Sequence, residues 1–374
     1  MRQIKPLILL LLLVPFISSL SCSDIPLEPP GAVKLQTTVI TQNLQFPWEI
    51  AWGPDNFIWM TEKFGRISRV NPATGVVTPL IDVPLALGFG LEAGLLGMAV
   101  SPDFTRWPYV FIVHTFGANA AVERVERYTY SNGTLINPLI LVDGIVGSDQ
   151  HDGSRLVIVG DKLFISTGDA QLQRGSDPQS SLSLNGKILR INFDGSIPVD
   201  NPDPHSRVWS RGHRNPQGLV FANDHLYSTE HGGYDEVNLI KRGKNYGWPL
   251  IDGIANTTQE NEEVIFNQDM TNPIKEWASG TAPSGMDYYN NNAIPQWKNA
   301  LLVASLKAES LYEVKLNPDN ETVQITNRYY QTTFGRLRDV CVSPGGDVYM
   351  CTSNGNNQDK IIRVSPITTG RKEM

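Results

Sequence analysis

The chain has 374 residues, 41% of them hydrophobic and 18% charged, with 32 glycines, 25 prolines and a formal charge of −7. That hydrophobic fraction excludes a disordered polyanion, and the chain is long enough for a large core. An acidic balance with no basic cluster speaks against a nucleic-acid partner.

In chain order, the first element is a leader. A basic start, an apolar run from Leu7 to Leu20 and small residues at Ser19 and Ser21 form the pattern of a secretory signal peptide over residues 1–21. This predicts a secreted or periplasmic protein. Cleavage after Ser21 would leave Cys22 first, an acceptor for a lipid anchor and the one route to a membrane. Residues 22–33, Pro-rich, read as a stiff lead-in to a single domain spanning 34–374.

Beyond the lead-in one theme returns six times: an apolar strand, a polar turn, a second strand, and a later strand closed by a turn. The copies begin at "WEIAWGPD", "LLGMAVSPDF", "SRLVIVGD", "QGLVFAND", "SGMDYYNN" and "LRDVCVSPGG". Short apolar or alternating runs between Gly, Asn, Asp and Pro turns are strand and hairpin signals, and no strong 3.6-residue period competes. A single copy cannot bury both faces of its sheet, so the copies must stack. The expected fold is all-β, a six-bladed β-propeller. In the last copy Cys341 and Cys351 occupy two arms of a hairpin. Directly opposed positions would allow a disulfide, whereas a one-residue offset would leave two buried thiols.

In such a fold the loops entering the innermost strands gather at one mouth. The polar residues there are Glu92, His151 with Arg155, Arg214 with Asn215, Ser284, and Arg336 with Arg338. His151 is a general-base candidate, and Asp169, at the end of the same copy's second strand, could orient it. Taken alone, each is equally a turn residue. Arg214, Lys307, Arg336 and Arg338 would place four cations around one opening, an arrangement that calls for a polyanionic ligand. The segment "EHGGYDEVNLIKRGKNYGWP" offers hard oxygen donors for Ca²⁺ from Gly232, Gly233, Asp235, Glu236 and Tyr246. Zinc spacing, a phosphate-cradling glycine loop and a GxSxG turn are absent from the sequence.

These motifs, with "HDGSRLVIVGDKLFISTGD", "NGKILRINFDGSIPVDNP", "GHRNPQGLVF", "ASLKAESLYEV" and "RLRDVCVSPGGDVY" in this order, resemble the soluble quinoprotein glucose and aldose sugar dehydrogenases. That resemblance implies a six-bladed propeller using pyrroloquinoline quinone (PQQ) and Ca²⁺ to oxidise an aldose at its anomeric carbon to the lactone, with an external electron acceptor. It implies His151 as catalytic base, Asp169 as its partner, and Arg214 as stabiliser of charge on the quinone. It also implies that Glu92, Arg214, Asn215, Lys307, Arg336 and Arg338 hold the cofactor, with carbonyls of Gly232 and Gly233 on Ca²⁺. The chain departs from the family pattern at Glu92, usually glutamine, at Gly233, usually proline, and at Ala308-Glu309, usually Arg-Gly. Two other readings fit a propeller. A lactonase would surround a metal with carboxylates and leave the cations unexplained. A non-catalytic binding propeller would leave the His151–Asp169 pairing unexplained.

Overall fold

The computed structural model describes residues 31–85, 92–117, 121–171 and 177–367. The leader and Cys22 lie outside the described residues.

Alternating apolar side chains and Gly/Asn/Asp turns build six four-stranded antiparallel sheets. β1 (Leu35–Leu44) comes first in the chain. Blade 1 is β2 (Pro47–Trp52), β3 (Ile58–Glu62), β4 (Arg66–Val70) and β5 (Val77–Asp82). Blade 2 is β6 (Leu95–Val100), β7 (Tyr109–Phe116), β8 (Val122–Ser131) and β9 (Thr134–Val146). Blade 3 is β10 (Gly153–Val159), β11 (Lys162–Thr167), β12 (Lys187–Asn192) and β13 (Val208–Arg211). Blade 4 is β14 (Pro216–Ala222), β15 (His225–Glu230), β16 (Tyr234–Ile240) and β17 (Lys275–Ala278). Blade 5 is β18 (Pro283–Tyr289), β19 (Ala300–Ser305), β20 (Ser310–Leu316) and β21 (Val323–Tyr329). Blade 6 is β22 (Leu337–Val342), β23 (Val348–Thr352) and β24 (Asp359–Pro366), completed by β1. The propeller is the one the repeats predict.

Ring closure comes from β1, which pairs antiparallel with β24 from Leu35 opposite Pro366 to Leu44 opposite Asp359. The first strand thus covers the last blade's edge, removing an exposed ladder. Neighbouring blades pack face to face. Trp48, Leu96, Phe111, Leu156, Ile165 and Leu189 form one such buried layer.

The feature that shapes the functional end is a bulge at the start of every inner strand. Register shifts fall between Pro47 and Glu49, Leu95 and Met98, Gly153 and Leu156, Pro216 and Gly218, Pro283 and Met286, and Leu337 and Asp339. An extra residue kinks its strand and re-aims its side chain. The residues released in this way include Trp48, Arg155, Gln217, Ser284 and Arg338. Packing at the axis is tight: a Cβ on Gly285 would fall 1.6 Å from Asp339 Oδ1.

Cys341 stands opposite Tyr349 and Cys351 opposite Asp339, so the two are not cross-strand partners. Both are free and buried, and burial pushes their thiols well up. The register therefore decides against the disulfide. α1 (Thr258–Phe266) contains no buried residue. A capping box fixes it: the Thr257 side chain accepts from Glu260 N–H and Glu260 accepts back from the Thr257 N–H. Among the described residues no helix is long and apolar enough to cross a membrane.

Candidate active site

His151 lies in the turn leading into β10, buried, with φ of 63°. Its Nδ1 is 2.8 Å from Asp169 Oδ1. Asp169 follows β11 and is fully engaged. Oδ1 also accepts the Gln171 N–H at 2.9 Å, and Oδ2 accepts Trp248 Nε1–H at 2.9 Å. Burial pushes the Asp169 carboxyl up, but the hydrogen bonds from His151, Gln171 and Trp248 outweigh it and hold it below the usual carboxylate range. An ionised carboxylate only accepts, so Nδ1 carries a proton and, in the neutral ring, the lone pair is on Nε2. Gln171 Nε2 lies 3.3 Å from that Nε2.

The lowered Asp169 pKa fixes a sign. Its contribution to stability is fully present above the unfolded value, about 3.9, and is lost as pH falls through the lower folded value. Asp169→Asn should therefore lower the melting temperature near neutral pH, because one amide oxygen cannot serve three donors. The deficit should shrink as melts are repeated below about pH 4. A deficit that grows with acidification would contradict the carboxylate's ionised state.

Arg214 and Asn215 precede β14. The Arg214 backbone carbonyl accepts the Asp169 N–H at 2.7 Å, and Arg214 Nη1 donates to the His231 carbonyl at 2.6 Å. Its guanidinium lies 5.3 Å from the Trp248 ring centre. Asn215 is buried, accepting Gly153 N–H at Oδ1, 3.0 Å, and lying 3.3 Å from Glu92 Oε2 through Nδ2. Glu92 Oε2 also accepts the His151 N–H at 2.8 Å. Hydrogen bonds thus unite five of the residues expected from the sequence: Glu92, His151, Asp169, Arg214 and Asn215.

Beside them a cavity of about 430 Å³ is lined by residues that include Phe46, Trp48, Lys63, Glu92, Leu306, Arg336, Arg338 and Asn354. Arg338 is buried and donates to Gln217 Oε1 at 3.0 Å and Ser284 Oγ at 3.3 Å. Burial, with Arg336 and Arg155 nearby, lowers its pKa to about 10. Lys63 is also held below its ordinary value by burial and by Arg338. These like charges share a wall on which Glu92 is the carboxylate, so the cavity suits a ligand bearing several negative groups. Arg336 is exposed at the rim. Lys307 is also exposed, following the cavity-lining Leu306, and its N–H donates to the Thr281 carbonyl at 3.3 Å.

Arg155, read from the sequence as a mouth residue, is instead buried on the axis. It pairs with Glu49, with Asp339 Oδ2 at 3.1 Å, and with the Gln217 carbonyl at 2.8 Å.

As side-chain donors, Asp235, Glu236 and Tyr246 do not converge. Asp235 Oδ1 accepts from His231 Nδ1 and the Gly232 N–H, and Oδ2 from the N–H groups of Thr281 and Ala282. Glu236, next on β16 and so on the other face, accepts from Asn238 Nδ2 at 2.9 Å. Tyr246 stacks on His213 and donates its hydroxyl to the Leu239 carbonyl. Among the described residues there is no group of three or more His, Cys, Asp or Glu side chains able to hold a metal. The backbone of Gly232 and Gly233 lies against Asp252 instead. A Cβ at Gly233 would meet Asp252 Oδ2 at 2.1 Å, so the carboxylate sits where a side chain at 233 would begin. Burial pushes Asp252 up from its ordinary value.

Trp48, Lys63, Gln171, Gln217, Trp248 and Asp252 were not singled out by sequence. Lys63 ends the first copy's second strand as Asp169 ends the third's, which is a usable signal. Trp248 stands in the quoted "NYGWP" stretch. Trp48 and Gln217 head the quoted copies "WEIAWGPD" and "QGLVFAND", so the repeat offered them as well, whereas Gln171 and Asp252 acquire their place through topology alone.

The arrangement defines an oriented imidazole beside a cationic cavity, the equipment of a redox or acyl-transfer enzyme acting with an anionic ligand. The comparisons decide between these. The profile of the glucose/sorbosone dehydrogenase family matches residues 44–363, and the chain belongs to that family of oxidoreductases. It is 33% identical to quinoprotein glucose dehydrogenase B of Acinetobacter calcoaceticus, with 94% of each chain covered. It is 30% identical to an aldose sugar dehydrogenase of Escherichia coli, covering 90% of this chain and 94% of that one. The PQQ-bound aldose sugar dehydrogenase of Streptomyces coelicolor superposes with a TM-score of 0.77 at 29% identity, covering 89% and 98%.

Proposed function

We propose that this protein is a PQQ- and Ca²⁺-dependent dehydrogenase that oxidises the anomeric carbon of aldose sugars to lactones. The observation that carries the reading is the fully engaged His151–Asp169 pair beside the Arg336–Arg338–Lys63 cavity. The carboxylates of PQQ fit that cavity, because Arg336 and Arg338 crowd like charges there, which anionic groups relieve. Arg338, Arg336 and Lys63 would hold them, with Arg214, Asn215 and Lys307 closing around the ring system. Bound PQQ would supply the oxidant, taking two electrons and the C1 hydrogen from the sugar.

The chain's own part is proton handling and orientation. Asp169 keeps His151 Nδ1 protonated, so Nε2 takes the proton of the anomeric hydroxyl once that hydroxyl displaces the Gln171 amide. Loss of that proton, with departure of the C1 hydride, turns the anomeric carbon into the lactone carbonyl. Arg214, anchored on the His231 carbonyl with its guanidinium 5.3 Å from the Trp248 ring centre, would offer positive charge to a bound quinone. Buried Trp48 gives the cavity one apolar wall.

For Ca²⁺ the fitting donors are hard oxygens at the Gly232–Gly233 turn, with the Asp252 carboxylate beside them. Asp235, Glu236 and Tyr246 contribute no converging side-chain set, so no step is drawn through them. A leader over residues 1–21 would deliver the protein outside the cytoplasm, with Cys22 as lipid acceptor, where an external acceptor would take the electrons.

The test is reconstitution with PQQ, with and without Ca²⁺, followed by a dye-linked assay over an aldose panel. Aldose-dependent dye reduction should need both additions, and EDTA should abolish it unless Ca²⁺ is restored. Hydrolysis of lactones without PQQ would favour the lactonase reading.

A further inference from the structure

Glu92 does more than line the cavity. It precedes β6, and one oxygen of its carboxylate reaches two other blades. Oε2 accepts the His151 N–H at 2.8 Å and lies 3.3 Å from Asn215 Nδ2. The Glu92 N–H donates to the Asp149 carbonyl at 2.9 Å. Asn215 Oδ1 accepts the Gly153 N–H at 3.0 Å. Three of these hydrogen bonds hold residues 149–153, the Glu92–Asn215 contact ties their two holders together, and the held segment carries the imidazole.

That segment needs holding. His151 sits at φ 63° and Ser154 at φ 68°, in the left-handed region that non-glycine residues adopt only when their surroundings over-determine them. The His151 ring is fixed at Nδ1 by Asp169. Its backbone is held at the N–H by Glu92 and at the carbonyl by the Ala170 N–H, 3.1 Å.

We propose that Glu92 is a positioning residue for the base. Its carboxylate clamps the His151 backbone, so that the imidazole meets Asp169 and the substrate hydroxyl at one fixed point. The proposal rests on the reading of His151 as the base. Acceptor capacity and reach do this work, not negative charge. A glutamine oxygen would accept from the same two donors without the charge. An aspartate would keep the charge but fall one methylene short. Misplacing a catalytic group by about 1 Å costs on the order of a hundredfold in rate.

Three variants separate the possibilities: E92Q, E92D and E92A. At saturating PQQ, E92D and E92A should turn over about ten- to a hundredfold more slowly than E92Q, with the sugar KM little changed. An independent readout uses cofactor-free protein labelled with ¹⁵N-histidine, the His151 signals being assigned by their loss in His151→Asn. The His151 Nδ1–H resonance, sheltered by Asp169, should persist in E92Q and broaden or vanish in E92D and E92A. Should E92A not fold, E92D alone carries the comparison. E92D retaining the resonance and full turnover would overturn the clamp, and so would E92Q failing as badly as E92D, which would make charge the operative property. If no variant, nor the wild type, turns over sugar with PQQ, the proposed function fails while the resonance still decides the clamp.

Discussion

Replacing His151 by Asn should lower turnover of the PQQ-reconstituted protein by about a hundred- to ten-thousand-fold, the usual loss when a general base is removed. Asparagine is the suitable replacement because the residue sits at φ 63°, a conformation Asn tolerates far better than Ala does. Backbone clamping by Glu92 is then retained, since it uses the N–H and not the ring. Cofactor affinity should change little, because the cations lining the cavity belong to blades 1 and 6. Stopped-flow assay alongside a PQQ titration checks both halves. Wild-type turnover with normal PQQ affinity would remove His151 from the chemistry.

Arg338→Met should have the opposite profile. The guanidinium is buried beside Arg155 and Arg336, and these surroundings already depress its pKa to about 10. A base whose folded pKa is lowered has a charge that costs stability in the empty protein, so removing it should leave the melting temperature unchanged or slightly raised. The lost hydrogen bonds to Gln217 and Ser284 limit the gain. Binding should suffer, because a buried charge-assisted contact to an anionic ligand contributes about 3 kcal/mol, roughly a hundredfold in affinity. Calorimetry of PQQ binding, with melts of the empty protein, reads the two effects separately. Unchanged PQQ affinity in a well-folded variant would move the anion site elsewhere.

The six inner strands are legible in the sequence because each pairs an apolar run with a turn and a polar lead-in. β1 is not legible, for a physical reason: most of its residues are exposed, and its partner β24 lies more than 300 residues away. α1 could have been found from "TTQE", its capping box, but it lacks the apolar stripe that marks a packed helix. At the site, positions entering blades 3 and 4 converge as the repeat implies, and Asp169 meets His151. Arg155 departs from that pattern because the β10 bulge turns it down the axis, onto Glu49 and Asp339. A bulge is a register property, and one strand's sequence does not fix register. The acidic pair Asp235–Glu236 misleads as a side-chain set for the same reason. Adjacent residues on a strand point to opposite faces, and Asp252, which does reach the glycine turn, is far downstream.

Electron transfer from an aldose to a quinone bound in this cavity is open to direct test by anaerobic single turnover. Protein reconstituted with one equivalent of PQQ and excess Ca²⁺ is mixed with one equivalent of an aldose, in the absence of any acceptor. The oxidised-quinone absorption should be lost in full with one equivalent of lactone formed, and the rate should collapse in His151→Asn. PQQ that binds in the cavity but keeps its oxidised spectrum across the whole aldose panel would contradict it.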